Sequence, residues 1–452
     1  MAGLTFRDVG DKVLRAMTRP GPIYTALLGL CVSLVVFGGI AWAYQIEHGM
    51  GVSVKTNPVG WALYITTFVF WVGIAHSGTL ISAILFLLRA RWRTSIFRSA
   101  EAMTVFAVMT AGLFPFIHLG RVWRVYYMMP YPNQRELWPN FKSPLVWDVF
   151  AISTYLTISA VFFLIGMIPD LAVIRDRASG WRKKIYTVLS FGWRGSDREW
   201  KNYLSAYVLF AGLATPLVIS VHSVVSWDFA MSIVPGWHTT IFAPYFVAGA
   251  IHSGFAMVLT LLIPLRRILQ CEDLIKVRHL ENMAKVIVLT GLIVGYAYGI
   301  EFFLAWYGGN QAEYDVFIYR ATGDYAIQYW IMVTCNAILP LLFLLRKIRT
   351  SLVALFLLSI LINVGMWFER FVIIVTSLAH DYLPHGWGGI HLFAAGEWRW
   401  VDLAIVAGSF GWFFMWFLLF LKTLPWIAIT EVREGMHAAG HRKARGAGEA
   451  AP

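Results

Sequence analysis

The chain has 452 residues, of which 58% are hydrophobic and only 14% are charged, and its mean hydropathy is +0.64. Soluble proteins carry about a quarter charged residues, so this composition argues against a soluble enzyme, a disordered scaffold and a secreted disulfide domain. Cys31, Cys271 and Cys335 lie far apart and form no motif of a disulfide, zinc or iron–sulfur site. The composition indicates an all-α polytopic membrane protein.

Apolar windows of membrane length predict about ten transmembrane helices. They lie near residues 23–44, 59–88, 99–120, 145–169, 202–222, 240–265, 286–307, 325–345, 351–379 and 401–425. The segments on the N-terminal side of the membrane hold 29 of the 37 Lys and Arg residues. By the positive-inside rule, both termini are cytoplasmic. The net charge of +12 is therefore a topology signal, with anionic lipids as secondary contacts, and it does not indicate nucleic-acid binding.

An internal repeat organises the middle of the chain. The tripeptide His-Ser-Gly begins at His76 in the second helix and again at His252 in the sixth. Both copies enter the membrane from the same side, which predicts a parallel duplication of a four-helix bundle, with two peripheral helices added. Four parts follow: residues 1–58 with the first helix, 59–239 and 240–400 as the two bundles, and 401–452 with the last helix. The tail from Glu431 onward lacks apolar periodicity and is predicted to be disordered.

Ionisable side chains at membrane depth are costly and usually mark a functional site. Near the outer end of the first bundle the sequence places His118, Asp148, His222 and Asp228, within a rim of tryptophans and tyrosines. An apolar pocket with a histidine and carboxylates suits a quinol, because each hydroxyl needs a hydrogen-bond acceptor and one acceptor must take a proton near neutral pH. The alternative is that these are interfacial residues or helix caps. Ser143-Pro144 resembles an N-cap with a first-position proline, and the helix dipole would then support Asp148.

A second set of polar residues lies deeper in the membrane. It consists of His76, His252, Glu301 and Glu369, and Arg370 adjoins the last of these. Three interpretations are open: a proton relay, interhelical hydrogen bonds that hold the bundles together, and ligation of a b-type haem by the two histidines.

The outer loops are rich in aromatic residues, glycine and proline. Loops 125–144, 223–239, 308–324 and 380–400, including the stretch 385–389, are predicted to be ordered, either as a docking surface for a partner or as a cap on the bundles. The sequence contains no phosphate loop, nucleophile elbow or haem attachment motif. If the chain handles electrons, a partner accepts them.

Six stretches carry a resemblance to a known family. They are residues 73–93, 114–123, 137–141, 143–149, 235–242 and 363–371. Together and in this order they resemble the NrfD/PsrC-like family of quinone-interacting membrane subunits, whose core is two four-helix bundles. The chain is most similar to the ActC-type subunit of alternative complex III.

The resemblance implies a function and a site. Quinol, expected to be menaquinol, is oxidised near the periplasmic face of a bacterial inner membrane. His118, Asp148 and Asp228 line the pocket, and Arg121 and His222 lie behind them. The chain itself holds no metal, haem or iron–sulfur cluster. A proton route through the bundles is proposed for the family, and depth in the membrane favours His76, His252, Glu301 and Glu369 for it.

The resemblance also implies partners. Electrons pass to a periplasmic iron–sulfur subunit and on to c-type haem subunits. A related membrane subunit, lipids and a terminal oxidase are the further candidates. Two other functions stay open: a secondary transporter, whose site should lie near the midplane, and a structural anchor or proton-conducting subunit without quinol chemistry.

Overall fold

The computed structural model describes residues 6–18, 21–56, 58–130, 132, 135–380, 399–434 and 436, and its regular structure within them is helical. Ten of the described helices are long and apolar enough to cross a membrane. They are α1 (Pro22–His48), α2 (Leu63–Leu87), α3 (Phe97–His118), α4 (Pro144–Arg177), α5 (Asp197–Ala230), α6 (Phe242–Ile268), α7 (Val277–Tyr307), α8 (Ala326–Leu344), α9 (Leu352–Ala379) and α10 (Trp400–Thr423). The predicted all-α polytopic fold with ten spans is confirmed.

Contacts outside the spans place both described ends of the chain on one side. The amphipathic helix Phe6–Thr18 pairs Lys12 with Asp273, in the connection between α6 and α7. Beyond α10, Glu431 pairs with Arg93, in the connection between α2 and α3, at 3.0 Å. We call this the inner side. The outer side carries the connections 49–62, 119–143, 231–241 and 308–325.

The spans form two rings of four helices. In the first, α2 contacts α3, α3 contacts α4, α4 contacts α5, and α5 closes on α2. Helices α6 to α9 repeat this order, and the two rings meet where α6 packs on α2 and α5, and α9 on α2. Helices α1 and α10 pack along each other and against the first ring. This is the expected pair of bundles with two peripheral helices, whereas the residue boundaries of the four parts stay a prediction.

Small residues let α2 approach two neighbours closely. A Cβ atom on Gly254 of α6 would lie 2.2 Å from Ser77 Oγ of α2, and one on Gly78 would lie 2.1 Å from the Ala100 carbonyl of α3. Side chains without a Cβ therefore allow these backbones to touch, as is typical of packed membrane helices. The repeated His-Ser-Gly tripeptide lies at this crossing.

Several helices depart from regular α geometry inside the bundles. Wider π turns occupy Leu80–Ile84 in α2, Thr334–Ile338 in α8 and Val372–Thr376 in α9. The chain after α10 turns back into the inner end of the first ring, where Trp426 is fully buried. The prediction of a tail disordered from Glu431 is wrong for residues 431–434, because they continue a helix held by Arg93. Apart from residue 436, the rest of the tail lies outside the described residues, as does the loop stretch 385–389.

Replacing Gly78 with Ala should separate α2 from α3. The new methyl group would overlap the Ala100 carbonyl, and overpacking of this kind costs about 1–3 kcal/mol. We expect a lower thermal unfolding midpoint and a lower yield of assembled protein in detergent. Gly299→Ala is the matched control, because a Cβ atom there meets nothing within 4 Å. Equal behaviour of the two variants would contradict the tight crossing.

Candidate functional site

Two carboxyl groups meet at the outer end of the first bundle. Asp148 follows the first turn of α4, which begins at the predicted N-cap Ser143 with Pro144 in first position. Asp228 lies in the last turn of α5. The two carboxyl groups are within hydrogen-bond reach of each other. Two ionised carboxylates would repel at this distance, so the contact calls for one proton between them.

The pair has few other partners. Asp148 is 5% exposed, and apart from Asp228 neither of its carboxylate oxygens has a hydrogen-bond partner. Apart from Asp148, Oδ1 of Asp228 also has no hydrogen-bond partner. Buried polar atoms are almost always satisfied, so each exception needs an explanation. In the part of the chain that the structure describes, no other group satisfies these oxygens.

Aromatic side chains flank the carboxyl pair. The rings of Trp147 and Trp227, each next to one aspartate, meet edge to face with centroids 6.3 Å apart. Trp227 also lines a cavity of about 290 Å³ at the outer side, together with Met231 and His238. A cavity at the outer side therefore lies against Trp227, the chain neighbour of Asp228.

His118 ends α3 at the same side of the membrane. It is half-buried, and its Nδ1 lies 3.5 Å from Nζ of Lys55. Arg121 is exposed in the turn that follows. Within the described residues, His118 makes no hydrogen bond to either aspartate, so its place in one pocket with Asp148 and Asp228 stays a prediction.

His222 lies deeper than predicted. The predicted fifth span ends at this residue. In the structure α5 continues to Ala230, because Val225 and Phe229 are apolar and buried. His222 is therefore about two turns below the outer end. Its ring meets that of His76 with centroids 4.5 Å apart, and both of its nitrogens lack partners. The predicted position at the outer face is wrong, and the predicted contact with quinol stays a prediction.

His76 belongs to a polar group in the middle of the first bundle. Its Nδ1 lies 2.7 Å from the Val72 carbonyl, and its Nε2 has no partner. The ring of Tyr155 stacks on it at 5.2 Å, and the Tyr155 hydroxyl donates to the Ala75 carbonyl at 2.9 Å.

His252 faces the other bundle. Its Nδ1 lies 2.9 Å from Thr290 Oγ1 of α7, and its Nε2 has no partner. Because His76 faces α4 and α5 while His252 faces α7, the two imidazoles do not share a cavity. Ligation of one haem by this pair does not fit the geometry.

Glu369 and Arg370 form an ion pair inside the second bundle. Arg370 Nη1 lies 3.0 Å from Glu369 Oε1, and the guanidinium stacks on the Phe246 ring. The hydroxyl of Tyr298 donates to Glu369 and accepts a hydrogen bond from Asn336 at 3.0 Å. Charged side chains at this depth in a membrane are usually stabilised by pairing with an opposite charge.

Glu301 connects that ion pair with the outer side. It is 5% exposed, and its Oε1 has no partner. It lines a cavity of about 300 Å³ with His238 and Glu313, and a smaller one with Tyr298 and Arg320.

Sequence reasoning missed several polar residues. Lys55 was counted only among the Lys and Arg residues that indicate topology. Tyr155, Tyr298 and Asn336 are uncharged, and nothing in their sequence context indicated a functional role. An ion cluster at the inner end of the first bundle was also missed: Arg98 contacts Glu101 at 3.1 Å and Asp170 at 3.3 Å. Across the described part of the chain, no three His, Cys, Asp or Glu side chains are grouped as a metal site requires.

Two rings of apolar helices that enclose ionisable residues define a multi-pass membrane protein with buried acid–base groups. Residues 51–380 match the family described as polysulphide reductase, NrfD. The chain belongs to the NrfD family.

Three curated relatives are similar to this chain. A putative membrane subunit of dimethyl sulfoxide reductase from Halobacterium salinarum is 29% identical over 53% of this chain and 51% of its own length. An Hdr-like menaquinol oxidoreductase integral membrane subunit of Archaeoglobus fulgidus is 20% identical over 80% of this chain and 82% of its own. A selenate reductase subunit of Mesobacillus selenatarsenatis is 22% identical over 50% and 54%. The chain thus spans about half the length of the first and third relatives.

Asp148 and Asp228 should be replaceable by Asn with little loss of stability. Neither replacement removes a cationic partner, and an amide keeps the mutual hydrogen bond, so we expect changes below about 1 kcal/mol. Asp170→Asn is the contrasting variant, because Asp170 pairs with buried Arg98 and accepts a hydrogen bond from the Thr430 amide at 2.9 Å. Breaking a buried ion pair costs about 3–5 kcal/mol. Thermal unfolding of the purified chain measures all three, and a loss of equal size at Asp148 would contradict a free carboxyl pair.

Proposed function

We propose that this chain is the quinol-binding membrane subunit of a respiratory oxidoreductase complex of the alternative complex III type. It oxidises quinol near the periplasmic face of a bacterial inner membrane, and menaquinol is the expected substrate. Both termini face the cytoplasm in this assignment, as the distribution of Lys and Arg predicts.

The observation that carries the proposal is the carboxyl pair. Asp148 is buried and Asp228 half-buried near the outer end of the first bundle, and the two contact each other and keep unpartnered oxygens beside two tryptophans. A cluster of this kind costs free energy unless a ligand uses it. An aromatic, apolar surround with proton acceptors is the chemistry that a quinol ring requires.

The relatives agree with a quinol-linked reaction. One is named as a subunit of a menaquinol oxidoreductase and two as subunits of reductases. Membership of the NrfD family supports the same class of complex.

In the proposed reaction His118 accepts the proton of one hydroxyl group. The Asp148–Asp228 pair accepts a hydrogen bond from the other hydroxyl group and passes its proton outward. Arg121 and His222 lie behind these residues and assist them indirectly. Two electrons leave the ring for an iron–sulfur cluster held by a periplasmic partner and continue to c-type haem subunits. The membrane part of the complex also includes a second, related membrane subunit.

The outer segment after His118 supports a partner at this position. The 3₁₀ segment Val122–Met128 packs against α4, and Trp123 is 64% exposed. Trp138 and Phe141 of the same connection are also exposed. Exposed aromatic side chains and arginines are enriched in protein interfaces, so we assign this surface to the electron-accepting subunit.

The proposal predicts loss of quinol oxidation in His118→Ala. Removal of a general base slows a reaction by about 10²- to 10⁴-fold, and Asp148→Asn should give a loss of at least tenfold. The measurement is quinol oxidation by the purified complex with an artificial acceptor, normalised to assembled complex. His48→Ala is the control, because His48 is an exposed histidine at the outer end of α1. Wild-type turnover in both site variants would leave the chain as an anchor or proton channel.

We also propose that the deeper polar residues carry protons. His76 and His252 lie in the middle of the two bundles, while Glu369 and Glu301 lead toward the cavity at the outer side of the second bundle. The unpartnered buried oxygen of Glu301 supports an exchangeable proton at that position.

Glu301→Gln should uncouple proton movement from quinol oxidation. An amide cannot take up and release a proton, so we expect near wild-type oxidation with a lower ratio of protons released outside to quinol consumed. The ratio is measured by acidification around proteoliposomes. Glu47→Gln removes an exposed outer carboxylate and serves as the control. An unchanged ratio in Glu301→Gln would contradict the route.

A further inference from the structure

One cation lies against the proposed proton acceptor. Nζ of Lys55 is 3.5 Å from Nδ1 of His118 and donates a hydrogen bond to the His118 carbonyl at 3.2 Å. Both side chains are half-buried. The first distance is at the long end of the hydrogen-bond range, which is common in the absence of substrate.

The peripheral helices hold both residues in place. The amide next to Lys55, that of Val54, donates to Asp402 Oδ2 of α10 at 3.0 Å. Gln45 of α1 donates to the carbonyl of Ile117, next to His118, at 2.9 Å. The Tyr64 hydroxyl of α2 in turn donates to Gln45 at 2.5 Å. The contact between Lys55 and His118 is therefore supported by five separate elements: the connection 49–62 and helices α1, α2, α3 and α10.

We propose that Lys55 is a positioning residue that sets which imidazole nitrogen of neutral His118 carries the proton, and so whether Nε2 can accept a proton from the quinol. The inference rests on the proposed function and adds a residue to it. An ammonium at Lys55 donates to Nδ1, so the proton of the neutral ring is on Nε2, which can then only donate. An amine at Lys55 accepts from Nδ1–H, and Nε2 is then free to accept a proton.

The surroundings of Lys55 favour the neutral amine form of its side chain. Burial lowers the pKa of Lys55, and the Asp402 carboxylate partly opposes this shift. The titratable groups that face Lys55 are His118 of α3 and Asp402 of α10, and Tyr64 and Arg399 act on Asp402. A lysine with an ordinary pKa would be an ammonium throughout the physiological range.

The proton step balances without a further reactant. As the quinol O–H bond breaks, its proton forms a bond with Nε2 of His118. The proton on Nδ1 passes to Nζ of Lys55, which becomes an ammonium and later releases the proton to the outer side. The electrons leave separately for the iron–sulfur centre of the partner. Because Lys55 must start as an amine, the rate rises with pH as Lys55 loses its proton.

The test compares Lys55→Arg and Lys55→Met across pH 6 to 9, about the range over which histidine and a lowered lysine titrate. Arginine keeps the charge and the donors but never becomes a base. We expect Lys55→Arg to lose at least about tenfold in kcat, with little change in KM and no rise with pH. Lys55→Met should lose less, and its pH profile should follow His118 alone. Lys184→Met removes an exposed lysine on the inner side and should match the wild type.

Parallel assays of His118→Ala separate this inference from the proposed function. Turnover that survives in His118→Ala would overturn the proposed role of His118 as proton acceptor and the role of Lys55 with it. Loss of turnover in His118→Ala, combined with wild-type rates and pH profile in Lys55→Arg, would overturn only the role of Lys55. Loss of the pH-dependent rise in Lys55→Arg, together with a Lys55→Met profile that follows His118 alone, supports it.

Discussion

The close crossing of α2 and α6 is the constraint on which the rest of the structure depends. Gly254 brings α6 onto Ser77, and Gly78 brings α3 onto the same turn of α2. With the backbones this close, the neighbouring histidines cannot face each other. His76 enters the first bundle and His252 the second. Because a bilayer offers no water to polar groups, each bundle then needs its own internal partners, and each develops a separate polar interior.

The interiors of the two bundles differ in their polar side chains. The first bundle ends in unpartnered carboxyl groups at its outer side, whereas the second pairs Glu369 with Arg370 and opens to the outer side through Glu301. In the proposed assignment, the proton acceptors for a ligand belong to the first bundle, whereas the route for protons uses residues of both. The peripheral helices contribute as well, since α1 and α10 fix the loop that carries Lys55.

Sequence reasoning predicted the fold well because length and apolarity alone identify membrane spans. It also placed Asp148 and Asp228 together at the outer end of the first bundle, since charged residues stand out in an apolar chain, whereas their role in a site stays a prediction. It ended α5 too early at His222, because a polar residue near the end of an apolar window resembles a boundary even when the helix continues. The partners of the histidines were out of reach. Thr290 and Tyr155 are uncharged, and which face of a helix meets which neighbour depends on three-dimensional packing that cannot be read directly from the order of residues.

The central claim is that a quinol binds between the outer ends of α4 and α5. The most direct measurement is photolabelling of the purified complex with a photoactivatable quinone analogue, followed by mapping of the labelled peptides. The account predicts label on residues 144–150 and 224–230, removed by excess quinol and reduced in Asp228→Asn. Label confined to the apolar groove beside Trp367 and Phe410, a cavity of about 460 Å³ between α9 and α10, would contradict it.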